Sequence, residues 1–288
     1  MLNANRFRRP WKWPNGQRVA VTIGLPFEAF HRQSQVSLIS KPGQIDTYSL
    51  SYGDYGWKAG IWRLLEILDR FGCKGTSSVN GMAAERHPEI VSFLAEEGHE
   101  LMGHGWANDV YVKDMTPEEA RSEIRRCTEV LTECARGVRP TGWTSPGSTG
   151  PEGMLTLLKE EGYLYCGDDV SDDIPFIIDS GAGDFVILPR QSVATNDITQ
   201  WVLPKNSPLV MWEGFKETFD ALYEESSPEH GRWIDLTLHA HMAGRPTMKP
   251  VIERMLSYAL DHDGVFLTRK QDIAEWTLES RQVVPSPI

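Results

Sequence analysis

The chain has 288 residues, 40% of them apolar and 24% charged, with a net charge of −11 at pH 7. That composition supplies a sizeable core, while the acidic balance speaks against nucleic acid and against an anionic membrane surface, both of which draw basic patches. No run approaches the roughly 20 apolar residues of a membrane helix.

Residues 1–14 form an N-terminal extension with basic residues and two tryptophans but no apolar segment like an export signal. A cytoplasmic protein is expected. Residues 18–24 are a short β-branched apolar run, a strand. Residues 33–56 are polar, rich in Ser, Gly and Tyr, and predict a long loop excursion. A helix follows at 60–71, where Ile61, Trp62, Leu64, Leu65, Leu68 and Phe71 fall at helical spacing. Next come a strand at 75–80, a helix at 88–97 and a strand running into His104. Thr116-Pro117-Glu118-Glu119 opens a helix to about residue 135, with Thr116 as N-cap, Pro117 in the first turn and Glu119 closing the capping box. Further strands are predicted at 138–143, 163–167, 185–189, 209–212, 234–239 and 264–268, and further helices at 151–161, 213–225, 249–261 and 271–279. Cys73, Cys127, Cys134 and Cys166 form no CxxC pair and read as small hydrophobes in a reducing compartment.

Such alternation implies a mostly parallel sheet. About eight β/α units in one domain, 1–288, favour a barrel, whose chemistry collects at the carboxyl ends of its strands. The residues there are Glu28 after the first strand, His104 between two glycines after the third, then Trp143 with Ser145, Asp168, and His239 with Arg245. Apolar runs that repeatedly end in an acid, an imidazole or a guanidinium predict one site assembled from several loops. Of His239 and His241, His239 completes the apolar run and is preferred. There is no G-x-S-x-G elbow, P-loop, G-x-G-x-x-G after a strand or H-E-x-x-H. General acid–base hydrolysis by Glu28, His104 and His239 is the simplest assignment.

Residues 19–28, Tyr55-Gly56-Trp57-Lys58-Ala59-Gly60-Ile61-Trp62-Arg63, residues 98–106 and Gly142-Trp143 carry a resemblance over nearly the whole chain. It continues through Glu161-Gly162-Tyr163-Leu164-Tyr165, Asp172-Asp173-Ile174-Pro175, Thr195-Asn196-Asp197, Leu238-His239, Gly244-Arg245-Pro246 and Asp272-Ile273-Ala274. In this order they resemble the polysaccharide deacetylase (NodB-homology) superfamily, in the branch of metal-independent allantoinases and related cyclic amide or imide hydrolases. The resemblance implies an α/β fold, a single distorted (β/α) barrel.

In family deacetylases an Asp and two His hold a divalent metal, and an Asp just before the first ligand is the base. The matching ligand positions here are Glu28, His104 and Asn108, and Phe27, which cannot act as a base, takes the base position. An amide oxygen is a weaker zinc ligand than imidazole. Either no metal is required or one zinc-like ion is held by Glu28, His104 and Asn108; both stay open.

The implied reaction opens a small cyclic amide, imide or ureide ring. Glu28 and His104 would position or deprotonate water, and His239 would protonate the leaving nitrogen or steady the oxyanion. Trp106 and Trp143 would form an apolar wall, and Asn108, Ser145, Asp168, Asn196 and Arg245 would contact substrate, although Asn196 and Asp197 equally suit a turn. Alternatives are a peptidoglycan or polysaccharide N-deacetylase with an altered metal site and a catalytically inactive binding module. A homo-oligomer, dimer or tetramer, is expected from the family, with Val36, Leu38, Ile39 and Leu50 able to cover a neighbouring subunit.

Overall fold

A computed structural model describes residues 9–31, 47–191 and 194–282. Strand β1 (Val19–Gly24), buried along its length, is the spine of the sheet. On one side it pairs in parallel with β8 (Arg232–Thr237), from Val19 opposite Arg232 to Gly24 opposite Thr237. Its other side is forked: β9 (Val265–Thr268) takes Val19 to Thr22, and β2 (Thr76–Val79) joins only at Gly24. Parallel pairing then runs through β3 (Glu100–Gly103), β4 (Gly142–Trp143) and β5 (Tyr165–Cys166) to β7 (Asp184–Ile187), which pairs antiparallel with β6 (Phe176–Asp179).

A loop completes the wall between β7 and β8. The Gln191 side chain donates to the Trp233 carbonyl at 3.0 Å and accepts from the Asp235 N–H at 3.1 Å, and the Thr237 N–H donates to the Thr195 carbonyl at 2.9 Å. The result is the barrel that the alternation predicts, distorted as the family resemblance implies.

Helix α5 (Pro117–Cys134) begins at the expected capping box: Thr116 Oγ1 accepts the Glu119 N–H, and the Glu119 carboxylate accepts the Thr116 N–H at 2.8 Å. Several elements depart from expectation, among them these. The strand predicted at 209–212 is the first turn of helix α7 (Leu209–Glu225), because its buried residues Met211, Phe215, Phe219 and Leu222 keep a helical period straight through that apolar run. The antiparallel β6 is an addition, half-exposed and without clean alternation. Within the predicted excursion, residues 33–46 and with them Val36, Leu38 and Ile39 lie outside the described residues, as do residues 1–8 of the extension. Residues Thr47–Tyr55 form helix α1, which passes through a π-turn at Gly56–Gly60 into α2 (Ile61–Arg70). A Cβ on Gly60 would lie 1.9 Å from the Ala240 carbonyl oxygen, so only glycine lets this helix rest on the loop after β8.

Inside the barrel, Lys270 Nζ meets Asp235 Oδ2 at 3.0 Å, and Asp235 Oδ1 accepts the Thr22 hydroxyl at 2.7 Å. Both charged side chains are buried. Lys270→Ala leaves Asp235 unpaired and is expected to destabilise the fold by about 3–5 kcal/mol, read as a lowered urea midpoint at unchanged m-value. All four cysteines are free thiols, and burial pushes that of Cys127 up to about 12. No helix among the described residues is long and apolar enough to cross a membrane.

Candidate active site

The chain leaving β1 stays extended between its neighbours. The Phe27 N–H donates to the Ser78 carbonyl at 2.8 Å and the Ala240 N–H to the Pro26 carbonyl at 3.0 Å. Successive side chains of an extended segment face opposite ways. Phe27 therefore enters the core, 2% exposed, with its ring edge-on to His87, while Glu28 faces the barrel mouth. Asn80, buried at the end of β2, accepts the Ala29 N–H at 3.1 Å and donates to the His104 carbonyl, which ties the Glu28 loop to the His104 loop.

Glu28 Oε1 stands 3.4 Å from His104 Nε2 and 3.5 Å from His239 Nε2. The side chains of the three residues are only 4%, 9% and 10% exposed, respectively. His104 Nδ1 donates to the Thr144 carbonyl at 2.7 Å, and because a carbonyl only accepts, this places a proton on Nδ1. Nε2 is left facing Glu28 and the Asn108 amide, the latter at 3.0 Å. His239 Nδ1 donates to Asp197 Oδ1 at 2.5 Å, and Asp197 Oδ2 accepts the backbone N–H groups of His239 at 2.8 Å and Ala243 at 3.2 Å.

Charge states follow from these contacts. Burial pushes the Glu28 carboxyl up, but the imidazoles of His239 and His104 outweigh it and hold it at about 2. For His239, burial pushes down, and the carboxylates of Asp197 and Glu28 prevail to raise it to about 9. His241, dominated by burial, falls to about 4. At neutral pH the site thus holds a carboxylate at Glu28, an imidazolium at His239 and a neutral imidazole at His241.

Several predicted contacts are corrected. Trp106 fills the hollow left by Gly81, with the Arg126 guanidinium over its ring at 3.2 Å. Trp143 is fully buried against Gly103 and Tyr163, and its indole N–H is spent on Ser145 Oγ at 3.0 Å. Neither indole walls the site, and Ser145 is occupied. Asp168 accepts the Thr144 hydroxyl and the Ser145 N–H, each at 2.8 Å, and so fixes the carbonyl that orients His104. Asn196 takes its turn role, accepting the Ile198 N–H at 3.0 Å; its neighbour Asp197 is the residue that reaches the site. The Arg245 guanidinium lies 4.1 Å from the Tyr52 ring centre and 4.2 Å from that of Tyr55, clamping α1 to the loop after β8.

Sequence reasoning missed Asp197 as the partner of His239, and it preferred His239 over His241, whose ring centre is 6.0 Å from that of His239. Beside Glu28 opens a recess of about 340 Å³ lined by Phe27, Phe30, Leu50, Trp57, Arg86 and His87 among others. Trp57 stacks on His87 at 4.5 Å, so the indole that lines this recess comes from the π-turn rather than from Trp106 or Trp143.

Glu28, His104 and Asn108 offer one carboxylate, one imidazole and an amide oxygen that already meets His104 Nε2. His239 donates Nδ1 to Asp197 and keeps Nε2 toward Glu28, and among the described residues no three His, Cys, Asp or Glu side chains are found as a metal-holding group. Zinc sites are built from three or four Cys, His or carboxylate ligands, and of these Glu28, His104 and Asn108 supply two.

A family model described as polysaccharide deacetylase matches residues 42–166. The crystal structure of a probable polysaccharide deacetylase from Pseudomonas aeruginosa is 30% identical, with a TM-score of 0.81 over 93% of each chain. That of PuuE allantoinase is also 30% identical, with a TM-score of 0.81 over 92% of each chain. A putative polysaccharide deacetylase of Schizosaccharomyces pombe is 22% identical over 91% of both chains, and a peptidoglycan deacetylase of Helicobacter pylori is 21% identical over 81% of this chain and 88% of that protein.

Proposed function

The chain belongs to the polysaccharide deacetylase family, and from that premise we propose that it is a hydrolase of carbon–nitrogen bonds that opens a small cyclic amide, imide or ureide ring. The observation that carries the reading is the convergence of Glu28, His104 and His239 on one buried point, Glu28 Oε1 lying within 3.5 Å of both Nε2 atoms. The likeness to PuuE allantoinase over 92% of each chain supports a ring substrate, as does the apolar Phe27 where a deacetylase of this family has its base.

In the reaction, water sits on the open side of the contact between Glu28 and His104 Nε2, within hydrogen-bond reach of both. Glu28 orients it and His104 takes its proton as the oxygen adds to the ring carbonyl. The tetrahedral oxyanion is steadied by the His239 imidazolium. When the C–N bond breaks, His239 gives its Nε2 proton to the leaving nitrogen, and the ring opens to a carboxylic acid and a freed N–H. Asp197 keeps the His239 ring aligned throughout. His104 returns the water-derived proton to solvent and His239 takes one up, so no net group is left on the protein.

A spectrophotometric screen of hydantoin, allantoin, succinimide and dihydropyrimidines tests the proposal. Ring opening of at least one supports it. The curated relatives carry deacetylase names, so release of acetate from an N-acetylated glycan without ring opening would replace it. Because Glu28, His104 and Asn108 supply only two ordinary zinc ligands, treatment with EDTA followed by gel filtration is expected to leave kcat/KM within about twofold, where a metal-dependent enzyme would lose its activity with the ion.

A further inference from the structure

We propose that Arg190 is a substrate-binding residue that holds a carboxylate carried by the ring, so that the site selects cyclic amides bearing an acid group over their uncharged counterparts. The inference rests on the ring-hydrolase reading and adds to it the charge of the substrate.

The side chains of the site share one face of their strands. Ala20, Met102, Val186, Leu188 and Trp233 pack in one buried cluster. Steps of two residues from Ala20, Met102 and Trp233 lead past the strand ends to Glu28, His104 and His239. The same step from Leu188 leads to Arg190. The chain stays extended there: the Leu188 N–H donates to the Cys166 carbonyl at 3.0 Å and the Arg190 N–H to the Asp169 carbonyl at 2.9 Å, so the ladder between β7 and β5 outlasts both strands. Arg190 therefore takes the place of β7 at the carboxyl end of the barrel, where the chemistry is gathered. Its charge is felt at His239, where it opposes the rise caused by Asp197 and Glu28.

The guanidinium has donors to spare. One terminal nitrogen donates to the Ser148 hydroxyl on the turn after β4, and among the described residues no carboxylate pairs with it. Its Nε is buried and has no acceptor. A buried donor without a partner costs about 1–3 kcal/mol, more when the group is charged, and a bound anion removes that cost. The planar fork of N–H groups matches the two oxygens of a carboxylate. Ser148 is exposed, so water can serve its hydroxyl when a carboxylate takes the guanidinium. A ring whose scissile carbonyl meets Glu28, His104 and His239 presents a substituent on its His239 side to Arg190. A ring without the acid leaves the cation unanswered, and a site built to bind a substrate group discriminates strongly against the analogue lacking it.

The test measures calorimetric binding and turnover of matched rings, dihydroorotate with dihydrouracil and hydantoin-5-acetic acid with hydantoin, in wild type, Arg190→Met and Arg190→Lys. Wild type is expected to bind the acid-bearing member of at least one pair about 10–100-fold more tightly. Arg190→Met should bring that preference to within about threefold of parity, and Arg190→Lys, which keeps the charge without the fork, should hold an intermediate one. Should Arg190→Met fail to fold, Arg190→Gln removes the charge and keeps a polar group for Ser148. No preference in wild type, or a preference unchanged in the Met or Gln variant, with a ring still opened, overturns the inference and leaves the proposed function standing. An acid bound with a preference that depends on Arg190, while no ring is opened, supports Arg190 as the holder of the anion and overturns the hydrolase reading.

Discussion

Glu28→Gln will lower kcat/KM for ring opening by about 10³-fold or more, the range of losses seen when a charged group acting on the reacting water and transition state is neutralised. Glu28 is the anion that faces both His104 Nε2 and His239 Nε2. A glutamine fills the same space but cannot orient the water as an acceptor toward both imidazoles, nor hold the charge of His239. His104→Ala should fall comparably, and the double variant should be little worse than the poorer single, because both residues act on one water. The stability of the variant carries a second signature. The Glu28 carboxyl sits at about 2 against an ordinary 4.5, so its contribution to stability is present above 4.5 and is lost as pH falls toward 2. The variant should therefore show a weaker acid dependence of Tm than wild type in that window. Steady-state kinetics and thermal melts across pH decide it, and a Glu28→Gln enzyme within tenfold of wild type would remove Glu28 from the mechanism.

The alternation of strands and helices was legible because each apolar run is bounded by a clear break, and the start of α5 because its capping box is a local pattern. The first turn of α7 was not: Leu209-Val210-Met211-Trp212 reads as a strand over four residues, and only the recurrence at Phe215 and Phe219 reveals the helix. β6 escaped because a half-exposed strand beside a Gly-rich turn has no clean two-residue period. In the site, Glu28, His104 and His239 could be read because they terminate apolar runs where a barrel gathers its chemistry. The choice between Asn196 and Asp197 could not, since adjacent residues in a turn point in different directions and only tertiary pairing selects one. Trp106 and Trp143 were misjudged for a related reason: an indole near a strand end equally suits the hollow made by a neighbouring glycine, and Gly81 and Gly103 make such hollows. His241 lies just past the end of β8, where the chain turns through the hydrogen bond from the Met242 N–H to the His239 carbonyl at 3.0 Å and strand alternation gives no guidance.

Asp197→Asn removes the buried charge beside His239 and one of the two acceptors there. The amide has a single oxygen, which can accept either the Nδ1 proton or the backbone N–H groups of His239 and Ala243; turned to the backbone, it meets Nδ1 with its NH2 and favours the tautomer that carries the proton on Nε2. What disappears is the buried anion that, with Glu28, raises His239 to about 9. His239 would then lose its proton at lower pH, and the alkaline limb of the kcat profile should move toward neutrality, with kcat at neutral pH reduced by about 10²-fold or more as the general acid is depleted and the developing charge loses its counterion. The stability effect has a definite sign. Because the folded His239 titrates near 9 and the ordinary imidazole at 6.5, the contribution of its charged form is whole below 6.5 and is lost as pH rises through 9. Wild-type Tm should decline across that interval, and the variant, already lacking the contribution, should be flatter there. An alkaline limb that stays in place in Asp197→Asn would mean that another group donates the proton to the leaving nitrogen.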